Sequence, residues 1–333
     1  MAIGTGTITA DVAATATLAP SRGRVRLPHS PKILTGLGIL TFFVLLAIIG
    51  PFVRPYDPSR SFANATVPLA PSAAHWLGTT QLQQDVFSQL LVGGGSMILV
   101  ALVSGVIATA LSVTIGVTAG YRGRLTDDLL SMLANVFLVL PALPLLIILL
   151  GFIGTASANL ILVALVISLT GWAWGARVLR AQTLSLRNRD YVDAARITGE
   201  SSWRIIRSEI VPNLMPIIAS SFLFTVLYAI GTYTALAFLA LVNPEWSWGG
   251  MLYYASSQTA ELDGYWWWFL PPGLAIALLG TALVLLNFGI DEFINPRLRV
   301  AGLTGRPNRR HGGGSRQGFA LTPVIIRAEG DNS

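Results

Sequence analysis

The run Tyr191 to Pro216, YVDAARITGESSWRIIRSEIVPNLMP, gathers Asp193, Arg196, Glu200, Arg204, Arg207 and Glu209 on one loop between two hydrophobic segments, each long enough to cross a bilayer. Charges of both signs beside small and aromatic side chains suit docking to a partner. Catalytic chemistry finds much less to work with. His29, His75 and His311 are scattered without metal-ligand spacing, and each reads as a surface histidine. The chain has no cysteine, which rules out disulfides, thiolate metal sites and a cysteine nucleophile. Its lone lysine, Lys32, follows Pro31, so no phosphate-cradling GxxxxGK(S/T) loop exists, and neither HExxH nor GxSxG occurs. Asp127 and Asp128 lie beside Arg122 and Arg124, where local charge pairing accounts for them.

Two short helices are predicted to position the docking residues. Asp190 can cap the first, Asp193, Ala194 and Ala195 continue it, and Gly199 supplies the left-handed residue that ends it. Ser201 or Ser202 can cap the second, whose apolar positions Trp203, Ile206 and Ile210 recur at spacings of three and four until Pro212 and Pro216 lead into the next apolar run. Such a hairpin, about residues 188–212, would lie parallel to the membrane surface. An amphipathic interfacial loop and a docking element are both consistent with it, and Gly199 can be a plain helix cap.

Composition sets the class. With 53% hydrophobic and 11% charged residues, the chain is expected to be an all-α, polytopic membrane protein. Six spans are predicted, at about 33–53, 96–120, 129–153, 160–180, 214–241 and 269–290. They form a transmembrane domain over 31–300, between a disordered leader at 1–30 and a flexible tail at 301–333. Placing the amino terminus in the cytoplasm puts 20 of the 22 basic residues on one side, with only Arg54 and Arg60 outside. By the positive-inside rule both termini are then cytoplasmic, and the 191–216 hairpin with them. The net charge of +6 belongs to this topology and not to nucleic-acid binding.

Residues 129–153, 160–174 and 214–241 contain no Asp, Glu, Lys, Arg or His, whereas ion-coupled secondary transporters usually need such groups inside the membrane. That transporter class is the alternative reading, kept open because backbone carbonyls at a broken helix can hold sodium and Pro141 with Pro144 interrupts the third span. A membrane enzyme is a remoter one. On the outer side, an amphipathic helix is expected from Gln81 to Leu91, with Asp85 either a helix-end charge facing water or a specific contact for an outside partner. The second outer segment, Asn243 to Trp268, is dense in aromatics. Trp246, Trp248 and Tyr253 are candidate contacts at a translocation mouth, and Trp266 to Trp268 suit an interfacial belt.

The pattern DAA, three residues, Gly199, then Pro212 thirteen positions on, resembles the EAA signature of bacterial ABC-importer permeases. HWLGTTQLQQDVFSQLLVGG, GVTAGYRGRLTDDLL, WSWGGML and NPRLR are similar to the dipeptide/oligopeptide/nickel branch, over about Pro31 to Arg299. The chain departs from the family at Asp193, usually glutamate, at Val211, usually leucine, and at Gln83 and Gln84, usually Gly-Arg.

The resemblance implies a six-span subunit, not itself catalytic, in the bacterial cytoplasmic (inner) membrane. It would work beside a second homologous permease, two cytoplasmic ATPase subunits and an extracytoplasmic substrate-binding protein, with ATP and Mg bound by the partners and no cofactor bound by this chain. Asp193, Ala194, Ala195 and Gly199 would be the ATPase-coupling contacts, with Arg196, Trp203 and Pro212 beside them. A bulky charged residue at Ala195 is expected to uncouple hydrolysis from uptake. Peptides rank first as substrate. Oligosaccharides come second, since relatives similar around YWWWFLPPG carry them, and nickel third.

Overall fold

The computed structural model describes residues 31–62, 67–154, 159–242 and 247–294, with backbone alone for 291–294. The readings made for the leader, the tail, NPRLR and Trp246 lie outside the described residues. Within them the chain is helical, and pairing of extended backbone is limited to one bridge between Thr79 and Asp85. The long helices are α1 (Pro31–Val53), α2 (Val86–Arg122), α5 (Leu160–Leu186), α8 (Val211–Phe238) and α10 (Trp266–Ile294). Between them come α3 (Arg124–Val139), α4 (Ala142–Ile153), α6 (Asp190–Ile197), α7 (Ser202–Ile205) and α9 (Trp248–Ser257). Five helices are long and apolar enough to cross a membrane, and a sixth crossing exists if α3 and α4, bent by 90° at their junction, count as one broken span.

The bend follows from Pro141, which has no N–H to return to the Phe137 carbonyl, so α3 closes at Leu140 and α4 starts afresh. Two other boundaries differ from the sequence reading. No separate outer helix covers 81–91: α2 begins at Val86, capped by Asp85, and runs without a break through Gly93–Gly95 into the span. Those glycines serve close packing, since a Cβ on Gly94 would sit 2.7 Å from the Trp248 ring. Nor does Pro212 end the hairpin's second helix. A π turn over Ile206–Ile210 sends the Val211 N–H back to the Ile206 carbonyl, and Pro212 then falls in the first turn of α8, where a missing N–H costs nothing. Residues 202–238 therefore form one helix, and the second arm of the hairpin is the base of a span instead of a helix lying along the membrane surface.

The α2–α5 pair is the spine of the fold. Along α2 the small residues Ser104, Ala108, Ser112, Gly116 and Gly120 recur every fourth position, a stripe that lets two backbones approach closely. Ser104 Oγ donates to the Ala164 carbonyl at 3.0 Å, and Ser112 Oγ to the Trp172 carbonyl at 2.6 Å. A Cβ on Gly116 would meet the Ala176 carbonyl at 2.4 Å. Gly116→Leu must push the helices apart, and an overpacking cost of about 3 kcal/mol is expected. A midpoint of thermal unfolding in detergent equal to that of the unmodified chain would contradict the close approach.

Candidate functional site

The hairpin is seated by its apolar residues. Val192 on α6 is fully buried and joins Ile205, Ile206, Ile210, Leu214, Val117 and Leu179 in a cluster that ties α6, α7 and the π turn to the ends of α2, α5 and α8. Arg196 adds a polar tether: its guanidinium lies 5.3 Å from the centre of the Tyr121 ring and donates to Asp193 Oδ1 at 2.8 Å. Hydrogen bonding to Tyr121 first, and then the nearby Asp193 charge, holds Arg196 above the usual arginine range, as a permanent cation.

Local conformation follows the residue types, with one exception. Gly199 has φ +82°, and the Glu200 N–H bonds back to the Ala195 carbonyl, so the left-handed glycine ends α6. Ser201 Oγ accepts from the Arg204 N–H and caps α7. Asp190 is not the cap of α6. Arg189 holds that position without a side-chain bond, and Asp190 lies in the first turn, where its charge favours the helix dipole.

The two adjacent alanines separate. Ala195 packs against the seat, whereas Ala194 is exposed with Asp193, Gly199 and Pro212. The outer face also carries Ile197, 87% exposed, and Trp203, 68% exposed. Ile197 was not singled out from the sequence. The signal was present, because it lies five residues beyond Val192, off the spacings of three and four that share a helical face. Ile197 and Trp203 are thus two large apolar side chains exposed outside the long apolar spans.

The outer candidates are placed differently from their sequence reading. Asp85 is 1% exposed: its carboxylate accepts from the Ser88 N–H at 2.8 Å and the Ser88 hydroxyl at 2.6 Å, and lies 2.9 Å from His75 Nδ1. It does not face water. His75 is correspondingly buried, between Tyr56 and Phe62, and is no surface histidine. Trp248 is buried too. Its indole donates to the Leu90 carbonyl at 2.9 Å and meets Phe43 edge-on, which locks α9 onto α1 and α2. Tyr253 is half-buried against Tyr254. Of the WWW run, Trp266 is exposed, Trp267 donates to the Thr79 carbonyl and Trp268 is buried, so one of the three is free to form a belt.

Residues 112–300 match the family described as binding-protein-dependent transport system inner membrane component, and residues 25–71 match the N-terminal transmembrane domain of oligopeptide transport permease C. The dipeptide transport system permease protein DppC of Bacillus subtilis (strain 168) is 33% identical over 82% of this chain and 84% of its own. The oligopeptide transport system permease protein OppC of the same organism is 33% identical over 83% of this chain and 88% of its own. The glutathione transport system permease protein GsiD of Pectobacterium atrosepticum is 28% identical over 80% of this chain and 87% of its own. With helices long and apolar enough to cross a membrane and a matching family pattern over more than half its length, the chain belongs to the binding-protein-dependent transport system inner membrane components, in the branch of the DppC and OppC permeases.

Proposed function

We propose that this chain is one permease subunit of an ATP-driven peptide importer in a bacterial cytoplasmic membrane, with both termini in the cytoplasm. A second, homologous permease completes the pathway, an extracytoplasmic binding protein delivers the substrate, and two ATPase subunits bind ATP and Mg. The supporting observation is the two-faced hairpin. Val192, Ile205, Ile206 and Ile210 fix one side into the base of the spans, and Ala194, Ile197, Gly199 and Trp203 stand on the other. A force applied to that outer face passes straight into the membrane, because residues 202–238 are one helix. The peptide descriptions of the relatives support peptides ahead of oligosaccharides.

Affinity purification of the tagged chain in mild detergent tests this reading. A second permease and ATPase chains are expected to copurify, with ATP hydrolysis stimulated by the loaded binding protein. A lone, stable chain whose uptake collapses with an ionophore and survives ATP depletion would establish a secondary transporter instead.

A further inference from the structure

At the α3–α4 break the protein opens a chain of three cavities of about 120, 600 and 530 Å³. Ser131 and Asn135 line both the first and the second, and Leu140 lines both the second and the third, so they follow one another as a trough along α3, with α5 lining its two ends and the middle an open face of α3 alone. The third falls in the size range of small-molecule sites. One end holds Thr170 and Tyr228, joined by a 2.9 Å hydrogen bond, with Trp174 and Phe224 paired at 5.6 Å. Arg177 and Arg180 hold the other.

The break says which kind of surface this is. Pro141 leaves the Phe137 carbonyl without its helical donor, and the first amides of α4, Ala142 and Leu143, have no intrahelical acceptor. Free backbone groups of that kind are not tolerated against lipid, only inside protein or beside a polar, water-filled space. An arginine exposed on a spanning helix likewise belongs inside a bundle or beside a water-filled path, and Arg177 stands on this face.

Its two arginines differ in what they are free to do. Arg180 is committed to Asp127, with Nη2 2.7 Å from Oδ2 and Nε on Oδ1, and its field also reaches Asp128 in the second cavity. Arg177, one turn away on α5 and exposed, has no ion-pair partner among the described residues. Thr170, Trp174 and Arg177 follow at i, i+4 and i+7, one stripe of α5 that runs from aromatic rings to an unpaired guanidinium.

The geometry points to this trough as the chain's wall of the translocation path, with Arg177 the residue that receives the terminal carboxylate of a passing peptide while Trp174, Phe224 and Tyr228 hold its side chains. This rests on the importer reading above and deepens it. A guanidinium fork matches a carboxylate in two hydrogen bonds, and a neutral sugar offers it no such group.

The test is import by proteoliposomes that contain the complete complex and its binding protein, loaded with a tripeptide library carrying free carboxylates or the same library amidated. With Arg177→Gln, import of the free acids is expected to fall about tenfold or more, as for a lost charge-assisted hydrogen bond. Import of the amides should not change, and Arg177→Lys should recover most of the loss. Equal import of free acids by Arg177→Gln and the unmodified complex, or an equal fall for both libraries, overturns the assignment. So does loss of the second permease from the Arg177→Gln complex, which would make the trough a subunit seam. If the unmodified complex imports neither library yet hydrolyses ATP in response to its binding protein, the carboxylate role fails and the importer reading stands. If no ATPase copurifies at all, both fail.

Discussion

Carrying Ile197→Asp and Trp203→Asp together, the chain is expected to remain folded and membrane-embedded while its uptake is abolished and the ATPase subunits no longer copurify. Both side chains protrude from the hairpin, at 87% and 68% exposure, so their loss should disturb the chain's own fold by no more than about 0.5 kcal/mol each. Their burial in a partner groove would contribute about 2 kcal/mol each, and an aspartate forced unpaired into that seam costs more. The summed effect corresponds to an affinity loss of about a thousandfold or greater. Melting in detergent and ATPase copurification separate the two consequences, and normal uptake by the double variant would exclude this face from coupling.

The same geometry changes what is expected at Ala195. Because Ala195 packs onto the buried seat, a charged residue there would destroy the hairpin's own footing before it could disturb a partner. Ala194 is the position where a bulky substituent acts on the outer face alone.

Those adjacent alanines show where sequence reasoning reaches its limit. Apolar runs long enough to cross a membrane are legible because they depend on one property along the chain, and Gly199 and Ser201 are legible because their chemistry acts on backbone within three or four residues. The division of Ala194 from Ala195 depends on which face of α6 meets Val117 and Leu179, residues on other helices. Pro212 misled because a proline's usual effect is to stop a helix, and one wide turn just before it absorbed that effect. Aromatic density in 243–268 suggests an interface but not which ring points inward, and Trp248 points inward because Gly94 leaves room for it. Asp85 was misplaced for the same reason: its partner His75 stands ten residues away, and only the folded outer loop removes both from water.

For Asp85→Ala the expected result is loss of structure in the outer segment, residues 54–95, with local stability reduced by roughly 4 kcal/mol. About 1 kcal/mol of that is the cap on α2, and the remainder reflects His75 left buried without its partner. Around this pair the segment is cross-linked by many further bonds, among them Thr79 N–H to the Leu69 carbonyl, Tyr56 N–H to Ser88 Oγ and Gln83 Nε2 to the Val67 carbonyl. Gln83 carries a cost of its own, because its φ of +61° is a left-handed conformation unfavourable by about 1–2 kcal/mol for a residue with a Cβ. The side-chain bonds of Gln83, to the Val67 carbonyl and with the Thr79 hydroxyl, offset that cost. Asp85→Asn keeps an oxygen for the Ser88 N–H and should give a smaller effect, about 1–2 kcal/mol. Hydrogen exchange across 54–95 discriminates the roles: protection unchanged in Asp85→Ala, with substrate delivery impaired, would return Asp85 to direct contact with a binding protein. Protection lost in step with delivery would mean that Asp85 acts by shaping the surface the binding protein meets.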